Sequence, residues 1–456
     1  MNRAMNKSRL ELPEMQGLLA AGYGKQRAMC CLLLKITQVR SARGWLEKIA
    51  TQITYCGIKE GRSKLNIAFT FRGLQILLGH DELDGFAREF REGMVTEHRQ
   101  RVLGDLPGSP SDPAKWTWGG PQGQPIHVLL LVYELNTAAL ESRLAEIRSA
   151  LTGLNVITEL RSTALKDDKE HFGFRDGISQ PWVEGLHRSE YDRDRIAAGE
   201  LVLGYDDITG VPEPAPVFAR NGSYLVLRQI VQRVPEFWQA FPDATDEEKV
   251  RRAAKMVGRW PDGTPLTLSP NGPDPSQPIN DFGYARHDAD GSRCPFGAHI
   301  RRSNPRDGLL SNPVQSLQSV NRHRILRRGR AFGLPASPDV YPAGVKVQAD
   351  DDAIGDPTTR GLFFICLNAS LSRQFEFCQQ SWLNNPKLQG LSADTDPAAS
   401  PVQWSGPGQH PSLTEPASPL RHRVREREKY VQTIGGEYFL LPGKTALLRL
   451  GRSANP

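Results

Sequence analysis

The sequence lacks the short motifs by which many nucleotide-binding and hydrolytic enzymes are recognised. It contains no P-loop, no GxGxxG fingerprint, no HExxH zinc motif and no GxSxG nucleophile elbow. Its 10 histidines form no HxH or HxxxH pair, so a metal site made of several histidines would have to assemble from distant segments. A cofactor that needs only one protein ligand fits this distribution more easily.

Cysteines are few, and long apolar runs are missing. The 6 cysteines form no CxxC pair, which excludes a disulfide scaffold and favours a reducing compartment. The longest apolar run near the start, AMCCLLLKI, is too short to cross a bilayer. The first residues, MNRAMNKSRLELPEMQG, have no apolar signal-peptide core and no twin-arginine pattern. We therefore expect a cytoplasmic protein with no membrane partner.

The charge pattern gives no sign of a nucleic-acid surface. The formal net charge is +6, and most arginines are scattered along the chain. Two clusters stand out, RHRILRRGR (322–330) and RHRVREREK (421–429). The second alternates in sign, which is typical of a solvated face. We expect no nucleic-acid partner.

Hydrophobic periodicity in the first half predicts two β-α-β units. Four strands are predicted, AMCCLLLKIT (28–37), KLNIAFTF (64–71), IHVLLLVY (126–133) and LNVITELRST (154–163). The second strand alternates with period two, which predicts a half-buried strand. Helices are expected at 42–54 and 137–151. This order is that of a ferredoxin-like unit, four antiparallel strands with two helices on one face.

The second half repeats this succession of strands and helices less regularly. Strands are expected at SYLVLRQIVQRV (223–234), RHRILRRGRAFG and GLFFICLNAS (361–370), a helix follows the last of them, and EYFLLPGKTALLRL is expected to close the chain as a hairpin. A proline-rich stretch at 385–420 exceeds normal loop length and is either a surface lobe or partly disordered. We predict an α+β protein with two ferredoxin-like domains, residues 1–195 and 196–456.

Two segments could carry chemistry. In HFGFRDGISQP (171–181), glycines bracket Asp176, which is either a rigid seat for a functional carboxylate or an ordinary turn whose aspartate bonds its own backbone. In CPFGAHIRRSNPRD (294–307), small residues before His299 leave room for a flat group, and the arginines after it suit carboxylates such as haem propionates. The other interpretation of His299 is a solvated histidine in a surface loop.

Together these segments resemble the dye-decolorizing peroxidase family of haem enzymes. Gly173-Phe174-Arg175-Asp176-Gly177 matches the GxxDG motif of that family, and the first domain would end with this segment. His299, in GAHIRR, matches its proximal histidine, and Arg327, in RILRRG, matches its distal arginine. The resemblance covers nearly the whole chain, and the fold of the family agrees with the predicted elements.

The resemblance implies roles for individual residues. His299 would bind the iron of haem b in the C-terminal domain near the domain interface, and Asp176 and Arg327 would be catalytic. Arg328 is the neighbouring alternative to Arg327, and Gly329 stands where some members carry asparagine. The resemblance further implies that the haem is contacted by Gly173, Gly177, Arg301, Leu362 and Phe364. Glu376 is a candidate for the carboxylate that orients His299, although a solvent-facing helix glutamate is an equal alternative.

The resemblance also implies the reaction. Hydrogen peroxide would form a ferryl species that oxidises phenolic or anthraquinone-type dyes and other one-electron donors. Asp176 would carry the proton between the peroxide oxygens. A haem carrier or sensor without peroxidase activity, or a haem-free ferredoxin-like module, are the alternatives. A carrier would have no need for both Asp176 and Arg327, so their joint presence favours the enzyme.

Overall fold

The structure is a computed structural model and describes the chain in several stretches. They are residues 9–57, 61–78, 83–187, 195–277, 279–402, 412–416, 420–425 and 429–452. Parts of four sequence predictions therefore lie outside the described residues: the first eight positions of the N-terminus, 188–194 at the domain junction, 403–411 and 417–419 of the proline-rich stretch, and 426–428 of the charged run.

The elements of the first half follow the predicted order, and three further α-helices lie between the second and third strands among the described residues. In chain order they are β1 (Ala28–Ile36), α1 (Val39–Ala50), β2 (Lys64–Phe69), α2 (Phe71–Leu78), α3 (Arg88–Glu92), α4 (Glu97–Leu103), β3 (Val128–Glu134), α5 (Thr137–Ala150) and β4 (Leu154–Arg161). The strands lie in the order β4-β1-β3-β2, and every pairing is antiparallel. This is the ferredoxin-like arrangement.

The second half contains the remaining elements. They are β5 (Trp182–Val183), β6 (Arg195–Ile196), β7 (Ser223–Gln232), α6 (Val234–Trp238), α7 (Asp246–Val257), α8 (Tyr284–His287), α9 (His299–Ser303), α10 (Pro313–Asn321), β8 (Leu326–Arg327), β9 (Arg330–Phe332), β10 (Gly361–Asn368), β11 (Ser412–Glu415), β12 (His422–Arg425), β13 (Val431–Leu441) and α11 (Lys444–Arg452). After β10 the chain winds as two π-helical segments, Leu371–Glu376 and Cys378–Leu383.

The strand order of the first half recurs in the second. Strand β13 pairs with β7, β7 pairs with β10, and β10 pairs with both β8 and β9, always antiparallel. The two sets join into one sheet where Leu440 of β13 lies opposite Phe69 of β2. The prediction of an α+β protein with two ferredoxin-like domains is confirmed. The boundary at residue 195 stays a prediction, and it falls within β6, which pairs with β5.

The apolar sequence of β1 follows from burial on both faces of the sheet. Cys30, Leu32 and Leu34 join one core, whereas Met29, Cys31 and Leu33 join the core on the opposite face. A strand covered on both sides needs a continuous apolar run and not an alternating one.

The prediction that β2 is half-buried is wrong, because the N-terminal segment covers its second face. All residues of Lys64–Phe69 are buried. The Gln16 side chain donates to the Ile67 carbonyl at 2.8 Å and accepts from the Asn66 amide at 3.1 Å. The polar side chain of Asn66 therefore forms a hydrogen bond with the buried Gln16 and does not face water.

The prediction of a C-terminal hairpin is also wrong. Strand β13 ends before Pro442-Gly443, and α11 follows it and packs on α1. Ala446, Leu447 and Leu450 are buried at helical spacing. A Cβ at Gly451 would lie 2.9 Å from the Glu47 backbone nitrogen, so this glycine lets the two helices approach closely. Within the described residues, no helix has both the length and the apolar character needed to cross a membrane.

Candidate active site

A large cavity lies against one face of the C-terminal sheet. It contains about 1920 Å³ of space free of protein atoms, including its open mouth. Strands β7, β8, β10 and β13, helix α9 and the segment around Asp176 all contribute to its wall. Most of the wall is apolar, and examples are Phe174, Ile178, Val257, Ile300, Ile325, Leu383 and Val431. A concave apolar pocket with a few convergent polar groups is the usual form of a cofactor site.

His299 is the first residue of α9 and lies in the cavity wall. Its Nδ1 lies 2.9 Å from Oδ2 of Asp396, to which it donates a hydrogen bond. Burial alone would lower the pKa of His299, but the Asp396 carboxylate outweighs it and raises that pKa. Among the described residues, none is hydrogen-bonded to Nε2. The imidazole therefore has a fixed orientation and one nitrogen available as a ligand.

Asp396 is fully buried and belongs to the proline-rich stretch. Its other carboxylate oxygen accepts from the backbone nitrogens of Ala398 and Ala399 at 2.9 and 2.8 Å. Burial opposes ionisation of Asp396, yet the charge and hydrogen bond of His299 lower its pKa. Arg302 holds this part of the chain in place, since it donates to the carbonyls of Trp382 at 2.6 Å and of Asp394. The buried part of the stretch is thus neither a surface lobe nor disordered.

Sequence reasoning missed Asp396 and proposed Glu376 in its place. That proposal is wrong, because the Glu376 carboxylate accepts from Arg99 and from the Tyr438 hydroxyl, each at 2.8 Å. A local signal for Asp396 does exist in DTDPAAS, where an aspartate followed by proline can accept from backbone nitrogens two and three residues ahead. Nothing in that signal links the aspartate to His299, 97 residues away.

Asp176 lies in the cavity wall with one carboxylate oxygen already engaged. Oδ1 accepts from the Gly177 backbone nitrogen at 2.6 Å and from Nη1 of Arg327 at 3.0 Å. No described residue donates to Oδ2. Burial would raise the pKa of Asp176, but the nearby Arg327 guanidinium and the Gly177 N–H lower it overall. The carboxylate is therefore ionised, with one oxygen available.

The two bracketing glycines shape the backbone of this segment. Gly173 and Gly177 both have positive φ, 98° and 75°, a conformation that favours glycine. A Cβ at Gly173 would lie 2.5 Å from the Val345 side chain. Neither glycine is part of the cavity wall. The missing side chain of Gly173 faces Val345, and the predicted haem contacts of Gly173 and Gly177 both stay predictions.

The two adjacent arginines, one at the end of β8 and the other just after it, extend toward different parts of the structure. Arg327 points into the cavity toward Asp176. Arg328 donates to the carbonyls of Leu18 at 2.8 Å and Leu19 at 3.1 Å, where the N-terminal segment covers the sheet. The structure therefore favours Arg327 over Arg328. A Cβ at Gly329 would lie 2.9 Å from the Phe363 carbonyl, so an asparagine would not fit there without a shift.

Two further predicted positions line the cavity and one does not. Leu362 and Phe364 are alternate residues of β10 and lie in the wall beside Arg327; their contact with haem stays a prediction. Arg301 is buried and donates to Oδ2 of Asp288 at 3.0 Å and to the Cys294 carbonyl at 2.8 Å. It is not part of the cavity wall. The prediction that Arg301 binds the cofactor is wrong, because its guanidinium pairs with a buried aspartate.

Comparisons with known proteins identify relatives of the whole chain. No family model matches the chain. Peroxidase 2 of Mycetinis scorodonius is 30% identical over 468 residues, which cover 96% of this chain and 87% of that protein. The Dye-decolorizing peroxidase msp1 of the same organism is 30% identical, over 84% of this chain and 75% of its own length.

Solved structures show the same likeness. An ancestral D-type dye decolorizing peroxidase superposes with a TM-score of 0.78 at 26% identity, covering 96% of this chain and 99% of that one. A dye-decolorizing peroxidase solved in complex with 2,6-dimethoxyphenol gives a TM-score of 0.78 at 25% identity, covering 97% and 100%.

The fold and the relatives thus define a haem-dependent oxidoreductase. The chain belongs to the dye-decolorizing peroxidase family. The predictions of an enzyme and of peroxidase activity are confirmed.

Proposed function

We propose that the chain binds haem b through His299 and uses Asp176 and Arg327 to activate hydrogen peroxide. The observation that carries this proposal is the convergence of two charge pairs on one apolar cavity. His299 and Asp396 form one pair, with Nδ1 donating to the carboxylate. Asp176 and Arg327 form the other, at 3.0 Å. All but Asp396 lie in the cavity wall.

The residues present fit a haem. A single imidazole held through Nδ1 can offer Nε2 to the iron, and the buried carboxylate behind it increases the basicity of the ligand. The apolar side chains of Leu362 and Phe364 suit a flat macrocycle. Among the described residues, no cluster of three or more histidine, cysteine, aspartate or glutamate side chains could hold a different metal. The donor set therefore supports a cofactor that takes one protein ligand.

Two side chains of the protein would transfer the peroxide proton and stabilise the negative charge that develops on the departing oxygen. When bound, haem iron supplies the redox centre that accepts two oxidising equivalents from peroxide. Oδ2 of Asp176 takes the proton from one peroxide oxygen and returns it to the other, which leaves as water. The guanidinium of Arg327 stabilises the negative charge that develops on the departing oxygen, because it stays cationic and donates in a fixed geometry.

We propose phenols and anthraquinone-type dyes as electron donors. A relative has been solved in complex with 2,6-dimethoxyphenol, which supports phenolic donors for this chain. The proposal of a cytoplasmic enzyme rests on the cysteines. All six are buried free thiols, which suits a reducing compartment.

The test is to load the purified protein with iron protoporphyrin IX and to follow its spectrum. A Soret band is expected, together with a pyridine haemochrome spectrum of the b type. Oxidation of 2,6-dimethoxyphenol or of an anthraquinone dye is expected only when peroxide is added. A Soret band without peroxide-dependent oxidation would contradict the proposed roles of Asp176 and Arg327. Failure to retain haem would contradict that of His299.

A further inference from the structure

Glu376 forms a buried network with a tyrosine. The hydroxyl of Tyr438, on β13, donates to Oε1 of Glu376 at 2.8 Å, and Nη1 of Arg99 donates to Oε2 at 2.8 Å. Tyr438 has no exposed surface, and Glu376 is 3% exposed. Burial raises the pKa of Glu376 to about 7 even though Tyr438 and Arg99 favour its charged form. Its carboxylate is therefore a stronger base than that of an ordinary glutamate.

Only one aromatic ring separates this tyrosine from the cavity. Phe375 is part of the cavity wall, and its ring centroid lies 6.2 Å from that of Tyr438. Phe364, which also lines the cavity, lies 5.9 Å from Phe375 by the same measure. Ring separations of this size allow electron tunnelling without diffusion of any group. Because Tyr438 is fully buried, no dye can reach its ring.

We propose that Tyr438 and Glu376 form an internal proton-coupled redox pair that holds one oxidising equivalent when no electron donor is present. The inference rests on the proposed haem site, because the oxidant is the cofactor after reaction with peroxide. Tyr438 loses one electron to the oxidised cofactor, and its O–H bond breaks as the proton passes to Oε1 of Glu376. The products are a neutral phenoxyl radical, a protonated Glu376 and a cofactor reduced by one electron. A later donor electron and the same proton restore the tyrosine.

The proton acceptor is what distinguishes Tyr438 from another buried tyrosine. Tyr284 lies in the cavity wall itself and is fully buried. Within the described part of the chain, its hydroxyl has no hydrogen-bond partner. Oxidation of Tyr284 would leave its buried proton with no hydrogen-bonded base to receive it, which is costly. The structure therefore assigns the radical to Tyr438 although Tyr284 lines the cavity directly.

The test uses the haem-loaded protein at about pH 8, where a Glu376 with a pKa of about 7 is ionised and can accept the proton. The protein is mixed with peroxide without donor and frozen within milliseconds to seconds for electron paramagnetic resonance. A tyrosyl radical signal is expected, and growth with ring-deuterated tyrosine should narrow it in the unmutated protein. The signal should be lost in Tyr438→Phe and in Glu376→Gln, because an amide is a poor proton acceptor. It should persist in Tyr284→Phe.

The outcomes separate this proposal from the proposed function. A change of the Soret band with peroxide in Tyr438→Phe, together with loss of the radical signal, supports the pair. A signal that persists in Tyr438→Phe, or that disappears only in Tyr284→Phe, overturns the pair and leaves the haem site intact. If the unmutated protein shows no Soret response to peroxide, the proposed function fails, and the pair fails with it for want of an oxidant.

Discussion

His299 and Asp396 are joined by a hydrogen bond of 2.9 Å from the imidazole Nδ1 to a fully buried carboxylate. Carboxylates behind a metal-bound histidine fix the orientation of its ring, and their loss typically lowers metal affinity by about 10–100-fold. We therefore expect Asp396→Asn to retain haem more weakly than the unmutated protein. Transfer of haem to an excess of an apo-globin measures this retention.

Glu376→Gln provides the matched control for Asp396→Asn. Glu376 is also a buried carboxylate, but it contacts Arg99 and Tyr438 and not His299. Its substitution should leave the rate of haem transfer unchanged. Equal effects of the two substitutions would mean that general destabilisation, and not the orientation of His299, controls haem retention.

Replacement of His299 itself should abolish haem loading. His323 is the appropriate comparison, because it also lies in the cavity wall. Its Nδ1 is hydrogen-bonded to the Arg373 carbonyl at 2.5 Å, and its ring stacks on Phe377 at 3.8 Å. We expect His299→Ala to show no Soret band after reconstitution and His323→Ala to keep one. The reverse result would make His323 the ligand.

The fold could be predicted from the sequence where local periodicity decides the element. The strand at 28–36 is an unbroken apolar run because it is buried on both faces. The prediction of a hairpin at the end of the chain is wrong, because Leu447, Leu448 and Leu450 are compatible with a strand as well as with a helix. Its packing on α1, across about 400 residues of chain, decides in favour of the helix.

The site could be predicted only in part, for a similar reason. Asp176, His299 and Arg327 lie in motifs whose neighbours can be recognised along the chain. Asp396 is assigned only by its contact with His299, and Arg301 only by its contact with Asp288, and both contacts are tertiary. A charged side chain gives the same sequence signal whether it binds a ligand or forms a buried ion pair.

Arg327 and Arg328 differ in the face of the sheet that they occupy, and this difference can be tested. Arg327 contacts Asp176 in the cavity, whereas Arg328 contacts the N-terminal segment. Loss of a preorganised donor to a developing anion costs about 10²-fold or more in rate. We expect Arg327→Leu to slow the reaction with peroxide by that factor and Arg328→Leu to leave it nearly unchanged. Stopped-flow absorbance at the Soret band measures both, and a larger effect at Arg328 would reverse the assignment.

Arg301 is expected to contribute to stability and not to cofactor binding. Its guanidinium pairs with Asp288, and both side chains are at least 99% buried, at 1% and 0% exposure. It also stacks between the rings of Tyr284 and Phe296, at 4.4 and 4.3 Å. Removal of one partner from a buried ion pair typically costs about 3–5 kcal/mol, because the other charge stays buried. Arg301→Met should therefore lower the free energy of unfolding by that amount, measured by denaturant titration.

The control for Arg301→Met is an arginine in an exposed ion pair. Arg101 pairs with Glu97 on the surface of α4, and both side chains are largely exposed. Exposed pairs contribute less than about 1 kcal/mol, so Arg101→Met should barely change the denaturation midpoint. Haem affinity should be the same in both variants once they are folded. A specific loss of haem affinity in Arg301→Met would restore this arginine as a cofactor contact.

The reaction with peroxide should persist in acid because of the pairing of Asp176 with Arg327. Burial alone would raise the pKa of Asp176, but Arg327 lowers it below its ordinary value of 3.8. A base with a lowered pKa stays ionised above that value and is lost only as the pH falls through it. The base therefore stays available in acid, and because reduction of the oxidised cofactor by a donor consumes protons, dye oxidation should be strongest at roughly pH 4 to 5. Arg327→Leu should move the acid limit to higher pH, whereas Arg327→Lys, which keeps the positive charge, should move it less. The rate constant for the reaction with peroxide, measured as a function of pH in each variant, tests these shifts. If Asp176→Asn reacts as fast as the unmutated protein across this range, Asp176 does not carry the proton.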